Sequence, residues 1–324
     1  MIQNSKFLNA LEGKNTDNSY PIWIMRQAGR YLPNYQKLRR KHSLKCLFTN
    51  PELAAEVACL PFEYFSLDAA IVFWDIVLVA EAIGFEVDYI ENIGPVAKFT
   101  KNRKDIFYLQ DTVRKIKKKL QVPLIGFCGG PFTVASYLVD DIKRWIYEKP
   151  LELHCLLEEL CLASIQILKM QIEAGVNAIQ IFESAANILS SSHLEEFSLY
   201  YIRKILRSIS TLTIVFAKGS CLFQEKLSML SANALSFDWH YDLLELRRKM
   251  PNKILQGNFD PDLLFAPKKM IEKTVVNTLQ KMEDDPALII NLGHGIKPHT
   301  PLENVKWFVD CVKNFSKCSL RVLS

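Results

Sequence analysis

The chain has 324 residues, 49% hydrophobic and 23% charged, with 40 Lys and Arg against 35 Asp and Glu for a net charge of +5. That much apolar side chain excludes a disordered chain, and the near balance of charge argues against a dedicated nucleic-acid binder. The length suits one α/β barrel, and with no linker-like stretch, internal repeat or low-complexity tract the expectation is a single domain over residues 1–324.

The first residues, MIQNSKFLNALEGKNTDN, lack the long apolar run of a signal peptide. Short β-type runs then recur along the chain. They are Pro21–Met25, Ala69–Trp74, Val122–Phe127, Asn177–Phe182, Leu212–Ala217, Asn233–Phe237, Lys253–Gln256 and Ala287–Leu292. Most are apolar on both faces, the pattern of strands buried in a parallel sheet. Helix-period stretches separate them at Pro51–Phe65, Asp105–Leu120, Leu151–Ala174, Ser192–Ser208, Pro261–Met282 and Pro301–Phe315. Pro51, Pro261 and Pro301 stand where first helical turns begin, with Asn50, Asp260 and Thr300 ahead of them as expected caps. Eight strands alternating with helices predict a closed (β/α)8 barrel, with an extra hairpin around Phe85–Thr100 after the second unit. A doubly wound open sheet is the structural alternative. It is disfavoured because no GxGxxG follows the first strand and no GxxxxGK[ST] occurs anywhere.

Other features read plainly. The densest basic run, Arg114–Lys119, fits a solvated helix face better than a nucleic-acid patch. The segment Ala69–Phe85 is the most membrane-like, but Asp75 and Glu81 interrupt it and it is too short to span. The eight cysteines, Cys46, Cys59, Cys128, Cys155, Cys161, Cys221, Cys311 and Cys318, form no CxxC pair and no zinc-type cluster. They read as small buried hydrophobes in a reducing compartment, so the expectation is a soluble cytoplasmic protein with no membrane segment and no metal.

A barrel carries its chemistry at the carboxyl ends of its strands. Polar residues follow nearly every predicted strand: Arg26 and Arg30, then Asp75, Glu183 and Ser184, Lys218, Asp238, Asn258 and Asp260, and finally His294 between Gly293 and Gly295. Arg26 and Arg30 are four residues apart, so both guanidiniums fall on one side if the segment turns helical, and arginine suits the grip of carboxylates. Asp75 ends the apolar strand AAIVFWD, where an unpaired carboxylate is costly to bury; a cap on the following helix is the competing reading. A histidine flanked by two glycines implies a flexible, close-approach loop rather than a core position. Lys218, Asp238 and Asp260 are read as supporting residues. No GxSxG surrounds Ser184, so a hydrolase triad of Ser184, His294 and Asp75 is rejected.

Five segments carry a family resemblance: PIWIMRQAGRYLPNY (Pro21–Tyr35), GFCGGPFTVASYLV (Gly126–Val139), AIQIFES (Ala178–Ser184), QGNFDP (Gln256–Pro261) and NLGHGIKPHTPLENV (Asn291–Val305). In order and spacing the chain resembles the uroporphyrinogen decarboxylase family from about residue 3 to 315. The resemblance implies cofactor-independent decarboxylation of the four acetate side chains of uroporphyrinogen III, giving coproporphyrinogen III, by a homodimer. It implies that Arg26 and Arg30 hold substrate carboxylates, with Arg39 near the site. Tyr137, Ser184 and His294 would bind further carboxylates. Asp75 would accept the pyrrole N–H groups and stabilise the cation formed when a pyrrole carbon is protonated. The proton donor is open between Arg26, a water or hydronium relay, and His294.

The chain departs from the family pattern at several places. Phe132 stands for a usual tryptophan, Trp74 for serine, Ala80 for proline, Asp140–Asp141 for Glu–Gly, and Asn187 and Ser236 for glycines. Trp74 either points away from the cleft, as alternate strand residues do, or narrows it. Two other functions compete: a corrinoid methyltransferase of the same superfamily, which needs a zinc–thiolate ligand set not seen in this sequence, and a barrel that binds tetrapyrroles without catalysis.

Overall fold

The computed structural model describes residues 5–17, 19–282 and 285–315. Its centre is a curled sheet of seven parallel strands. These are β1 (Ala70–Ile71), β4 (Leu124–Gly129), β5 (Ala178–Glu183), β6 (Leu212–Ala217), β7 (Ala234–Ser236), β8 (Ile254–Phe259) and β9 (Leu288–Leu292), paired in that order. Two further strands, β2 (Phe85–Ile90) and β3 (Gly94–Phe99), pair antiparallel as a separate two-stranded sheet with Phe85 opposite Phe99. β4, β8 and β9 are buried at every position, which is why their sequences run apolar without alternation.

The predicted strand Pro21–Met25 is reduced to a single parallel bridge between Ile22 and Ile290. Ile290 N–H donates to Pro21 O (2.9 Å), and Trp23 N–H donates to Ile290 O (3.3 Å). On the other side Asp68 N–H, just ahead of β1, donates to Ile22 O (2.8 Å). The segment therefore lies between the two edges of the sheet. It makes no longer ladder because Pro21 has no N–H and Met25 N–H goes instead to the Asn291 side chain (2.9 Å).

Inside the curl, Trp23, Ile125, Ala178, Ile214, Ala234, Ile254 and Ile289 pack together. Phe7, Ala10 and Leu11 of the short helix Lys6–Leu11 close this layer. Above it runs a polar layer: Trp23 Nε1 donates to Gln256 Oε1 (2.9 Å), and Gln256 Nε2 donates to Gln180 Oε1 (3.1 Å) and Ser236 Oγ (3.0 Å). Apolar burial at about 25 cal/mol per Å² drives this packing, while the glutamine network fixes which side chains face one another.

Several helices depart from expectation. Asn50 caps Pro51–Cys59 and Asp260 caps the short turn Pro261–Phe265, as their sequence positions predict. Thr300 caps nothing: helix Leu302–Asn314 has Pro301 at its N-cap, and the Thr300 hydroxyl is buried without a partner. The stretch after Pro261 breaks at Pro267, which starts a new helix over Lys268–Lys281. The predicted helix Ser192–Ser208 contains a π turn at Glu195–Leu199, which turns Ser198 inward onto Glu183. The cysteine reading needs correction. Among the described cysteines only Cys128 and Cys161 are buried and Cys155 is exposed, because most lie on the flanks rather than the inner faces of their helices; Cys318 lies outside the described residues.

Candidate active site

At the carboxyl ends of the strands a cavity of about 540 Å³ opens. Arg26, Arg30, Asp75, Ser184 and His294 all line it, although they come from segments up to 268 residues apart in the chain. Phe48, Phe73, Trp74, Phe127 and Phe182 supply apolar wall between them.

Arg26 sits just past the Ile22 bridge with φ of 62°, in the left-handed region that non-glycine residues seldom adopt. The flanking backbone holds it there. Gln27 N–H donates to Ile24 O (2.8 Å), Ile296 N–H to Met25 O (3.0 Å), and the buried Gln27 amide bridges Ile24 N–H (3.3 Å) and Ala69 O (3.4 Å). The segment to Leu32 is a series of turns rather than a helix, tied by Leu32 N–H to Gly29 O (3.0 Å) and Tyr31 Oη to Gln27 O (2.6 Å). The two guanidiniums reach one cavity through these turns, not through helical periodicity. Both residues are exposed to the open cleft.

Asp75 caps a turn and lines the cavity at once. One carboxylate oxygen, Oδ1, accepts from Val77 N–H (2.8 Å) and so caps the turn Ile76–Ile83; the residue also lines the cavity. Burial pushes its carboxyl above the usual carboxylate range, and Val77 N–H, Arg26 and the Tyr89 hydroxyl draw it partly back. Trp74 does line the cavity, yet it is only 6% exposed. Its indole N–H is committed to Tyr108 Oη (3.0 Å), and its ring meets Phe127 edge-on at 6.2 Å between centroids. It narrows the wall and offers no polar contact.

His294 packs edge-on against Phe216 at 5.8 Å. Burial lowers its pKa to about 4, helped by the cations Arg26 and Lys218 and opposed by Asp238, so the imidazole is neutral at pH 7. The flanking glycines serve close packing rather than flexibility. A β-carbon on Gly293 would lie 2.7 Å from Trp239 N. Asp238 is buried and accepts from Gly219 N–H (2.5 Å) and His240 N–H (3.3 Å), a supporting role.

Ser184 is set by its neighbour. Glu183 is fully buried; it accepts from Thr133 Oγ1 and from Ser198 Oγ (2.8 Å), and burial lifts its pKa to about 7. A β-carbon at Gly130 would fall 2.3 Å from Glu183 Oε2, which explains the paired glycines before Pro131. Asn187 lies against Gly219, where a β-carbon would stand 2.8 Å from Asn187 Cβ.

Tyr137 and Arg39 are not brought into the cavity wall. Tyr137 is 44% exposed on helix Pro131–Leu138, and Arg39 Nη1 donates to His42 O (2.6 Å). Tyr89 and Glu183 are polar groups behind the wall; the sequence marks Glu183 as a strand end without assigning it a role, and does not mark Tyr89. Tyr89 had no signal because strand β2 is otherwise amphipathic surface; Glu183 ended an apolar strand and was legible as such. Among the described residues no three His, Cys, Asp or Glu side chains gather in a way that could hold a metal ion.

A parallel α/β sheet with a carboxylate, two arginines and a neutral histidine around one cavity defines an enzyme for an acidic small molecule. The model of the family described as uroporphyrinogen decarboxylase (URO-D) matches residues 2–315, and the chain belongs to that family. It is 41% identical to the uroporphyrinogen decarboxylase of Protochlamydia amoebophila, over 96% of this chain and 92% of that one. It is 38% identical to the one from Geobacter metallireducens, over 97% and 99%. Among solved structures, a methyltransferase from Methanosarcina mazei superposes with a TM-score of 0.82 at 24% identity over 96% of this chain and 98% of that one, a likeness of fold alone.

Proposed function

We propose that this chain removes the four acetate carboxyl groups of uroporphyrinogen III without a cofactor, leaving methyl groups and giving coproporphyrinogen III in tetrapyrrole biosynthesis. The observation that carries the reading is one cavity in which Asp75 meets Arg26, Arg30, Ser184 and His294, in a chain matched to the family from residue 2 to 315. Within this reading the Ile22 segment is the eighth strand of a closed (β/α)8 barrel, and β2–β3 is an inserted hairpin. The bonds from the Ile22 segment to both Ile290 and Asp68 support closure.

Loss of CO2 from an acetate arm leaves an electron pair that needs a sink. A proton added to a pyrrole carbon makes the ring a cationic iminium; the C–CO2 bond breaks and its electrons neutralise the iminium, leaving an exocyclic methylene, which a second proton converts to methyl as the ring carbon releases the first proton and the pyrrole is restored. The ring cation is the charge that the enzyme must stabilise, and Asp75, held in a low-dielectric wall, is the anion for it. Arg26 and Arg30 clamp the carboxylate arms, and Ser184 and neutral His294 offer hydrogen bonds to others. The apolar wall of Phe48, Phe73, Trp74, Phe127 and Phe182 accommodates the macrocycle and keeps water from the cation.

The same reading makes the protein a cytoplasmic homodimer acting on one small-molecule substrate and not on nucleic acid. The family resemblance and the balanced charge support it, and sedimentation of the purified chain checks the dimer. No helix among the described residues is long and apolar enough to cross a membrane. The deciding experiment is anaerobic incubation of the purified protein with uroporphyrinogen III, with carboxylate number followed by chromatography. Stepwise loss down to the tetracarboxylate is expected; binding without any loss of carboxyl would overturn the assignment.

A further inference from the structure

The antiparallel pair β2–β3 lies outside the curled sheet, yet it brings a side chain up behind the wall of the site. Tyr89, on β2, has a hydroxyl wholly enclosed by protein that completes no hydrogen bond of ordinary geometry. Its ring is tilted against Phe48 at 5.4 Å between centroids, and Phe48 against Phe73 at 4.8 Å; both phenylalanines line the cavity. Strand β2 packs directly against the turn Ile76–Ile83 that Asp75 caps, which brings the hydroxyl and the Asp75 carboxylate near enough for each group to bias the other. The phenol favours the carboxylate, and the carboxylate holds the phenolic proton in place.

A buried hydroxyl without an acceptor destabilises the fold, and phenylalanine would fill the same space without that cost. A tyrosine at this position therefore calls for an acceptor, and Asp75 is the one it faces. The other groups around Asp75 are a backbone donor, a fixed charge and a second tyrosine. Val77 N–H occupies Oδ1, Arg26 approaches from the cavity side, and Tyr108, from helix Tyr108–Lys119, receives the Trp74 indole N–H. Glu81, which faces both tyrosines, is paired with Lys45 (3.0 Å) and Lys104 (3.0 Å). These two ion pairs also fasten the pair: Lys45 donates to Val87 O on β2.

We propose that Tyr89 is a positioning residue for the decarboxylation: from behind the cavity wall its hydroxyl donates to Asp75 and holds that carboxylate aimed at the pyrrole N–H groups. The proposal rests on the reading of Asp75 as the counter-charge, and its test separates the two.

The test uses Tyr89→Phe in the full chain, with Tyr108→Phe as the control for disturbance of the aromatic packing. In Tyr89→Phe, kcat falls about tenfold with KM nearly unchanged, and the acid limb of the kcat–pH profile moves to higher pH by about one unit. Carboxylate NMR of the protein labelled with [13C]aspartate, with the Asp75 signal assigned by its loss in Asp75→Asn, shows the titration midpoint of Asp75 shifted the same way. Tyr108→Phe leaves that midpoint in place. The NMR arm needs no substrate, so it reports on Tyr89 even if uroporphyrinogen is not turned over, a failure that would fall on the proposed function instead. An unmoved Asp75 midpoint in Tyr89→Phe, or an equal movement in Tyr108→Phe, overturns the proposal. A drop in melting temperature with an unchanged pH limb assigns Tyr89 to packing and overturns it as well.

Discussion

Gly295 is the surface on which the Arg26 side chain rests: a β-carbon at residue 295 would stand 2.3 Å from Arg26 Cδ, 2.7 Å from Cγ and 2.9 Å from Nε. The motif at the start of the chain and the motif near its end thus meet in one contact. Ile296 N–H bonding to Met25 O (3.0 Å) fastens the two backbones beside it. The arginine cannot yield at its backbone, which is already held at φ 62°.

Gly295→Ala is therefore expected to push the guanidinium out of position while leaving the sheet intact. A displacement near 1 Å of a substrate-gripping group lowers kcat/KM about 10- to 100-fold. Steady-state kinetics on uroporphyrinogen beside a thermal melt checks this, with the melting temperature expected within a few degrees of the parent. Parent-like kinetics would mean that the placement of Arg26 is not needed for turnover.

His294 makes a prediction about acid stability. Its pKa in the fold is about 4, below its ordinary 6.5, so the unfolded chain takes up the proton first as pH falls. The stability tied to neutral His294 is complete above about pH 6.5 and is lost on the way down through about pH 4, on the order of 2–3 kcal/mol. Urea titrations of the parent and of His294→Gln across this range should converge with falling pH, because the variant lacks that loss. Parallel curves would show that the imidazole is not desolvated as its packing against Phe216 implies.

The strand positions and most of the rim were legible in the sequence because both follow from local rules. Apolar runs buried on two faces gave β5, β6 and β9 to within one residue and β4 to within two, and Asn50 and Asp260 cap where their sequence places them. Thr300 misled because a cap also needs the following backbone N–H groups to turn toward it, and here the helix begins one residue later. Whether Trp74 entered the cavity could not be read from strand alternation, because β1 ends at Ile71 and the chain beyond it is irregular. Tyr89 was beyond reach for another reason. Its relation to Asp75 depends on how β2–β3 folds back, and no spacing along the chain encodes that.

Glu183 offers a second pH test with the opposite sign. Its folded pKa, about 7, lies above the ordinary 4.5, so its contribution to stability is complete below pH 4.5 and is lost as pH rises through about 7. Glu183→Gln removes the ionisation and should melt higher than the parent at about pH 8 by a few degrees, with the difference shrinking toward pH 5. Thr133 and Ser198 can turn their hydroxyls to suit an amide, so the buried cluster survives the exchange. A variant that melts lower at both pH values would show that the charged carboxylate is the form the cluster is built around.

Asp75 separates function from stability most cleanly. Its folded pKa is raised, chiefly by burial, so ionisation counts against the fold as pH rises from the unfolded value of 3.8 through the raised one. Asp75→Asn keeps a side-chain oxygen for Val77 N–H and sheds the buried charge, so it should melt at or above the parent at pH 7.5. Asp75→Ala also loses the cap, at about 1 kcal/mol, and should melt lower than Asp75→Asn. Both should lose turnover by about 100-fold or more, since neither can stabilise the ring cation, while Asp75→Glu retains a small residue of activity because the charge survives in a displaced position. Thermal melts and carboxylate-loss assays on the three variants decide the matter. Near-normal turnover in Asp75→Ala would overturn the proposed role of this carboxylate as counter-charge to the macrocycle.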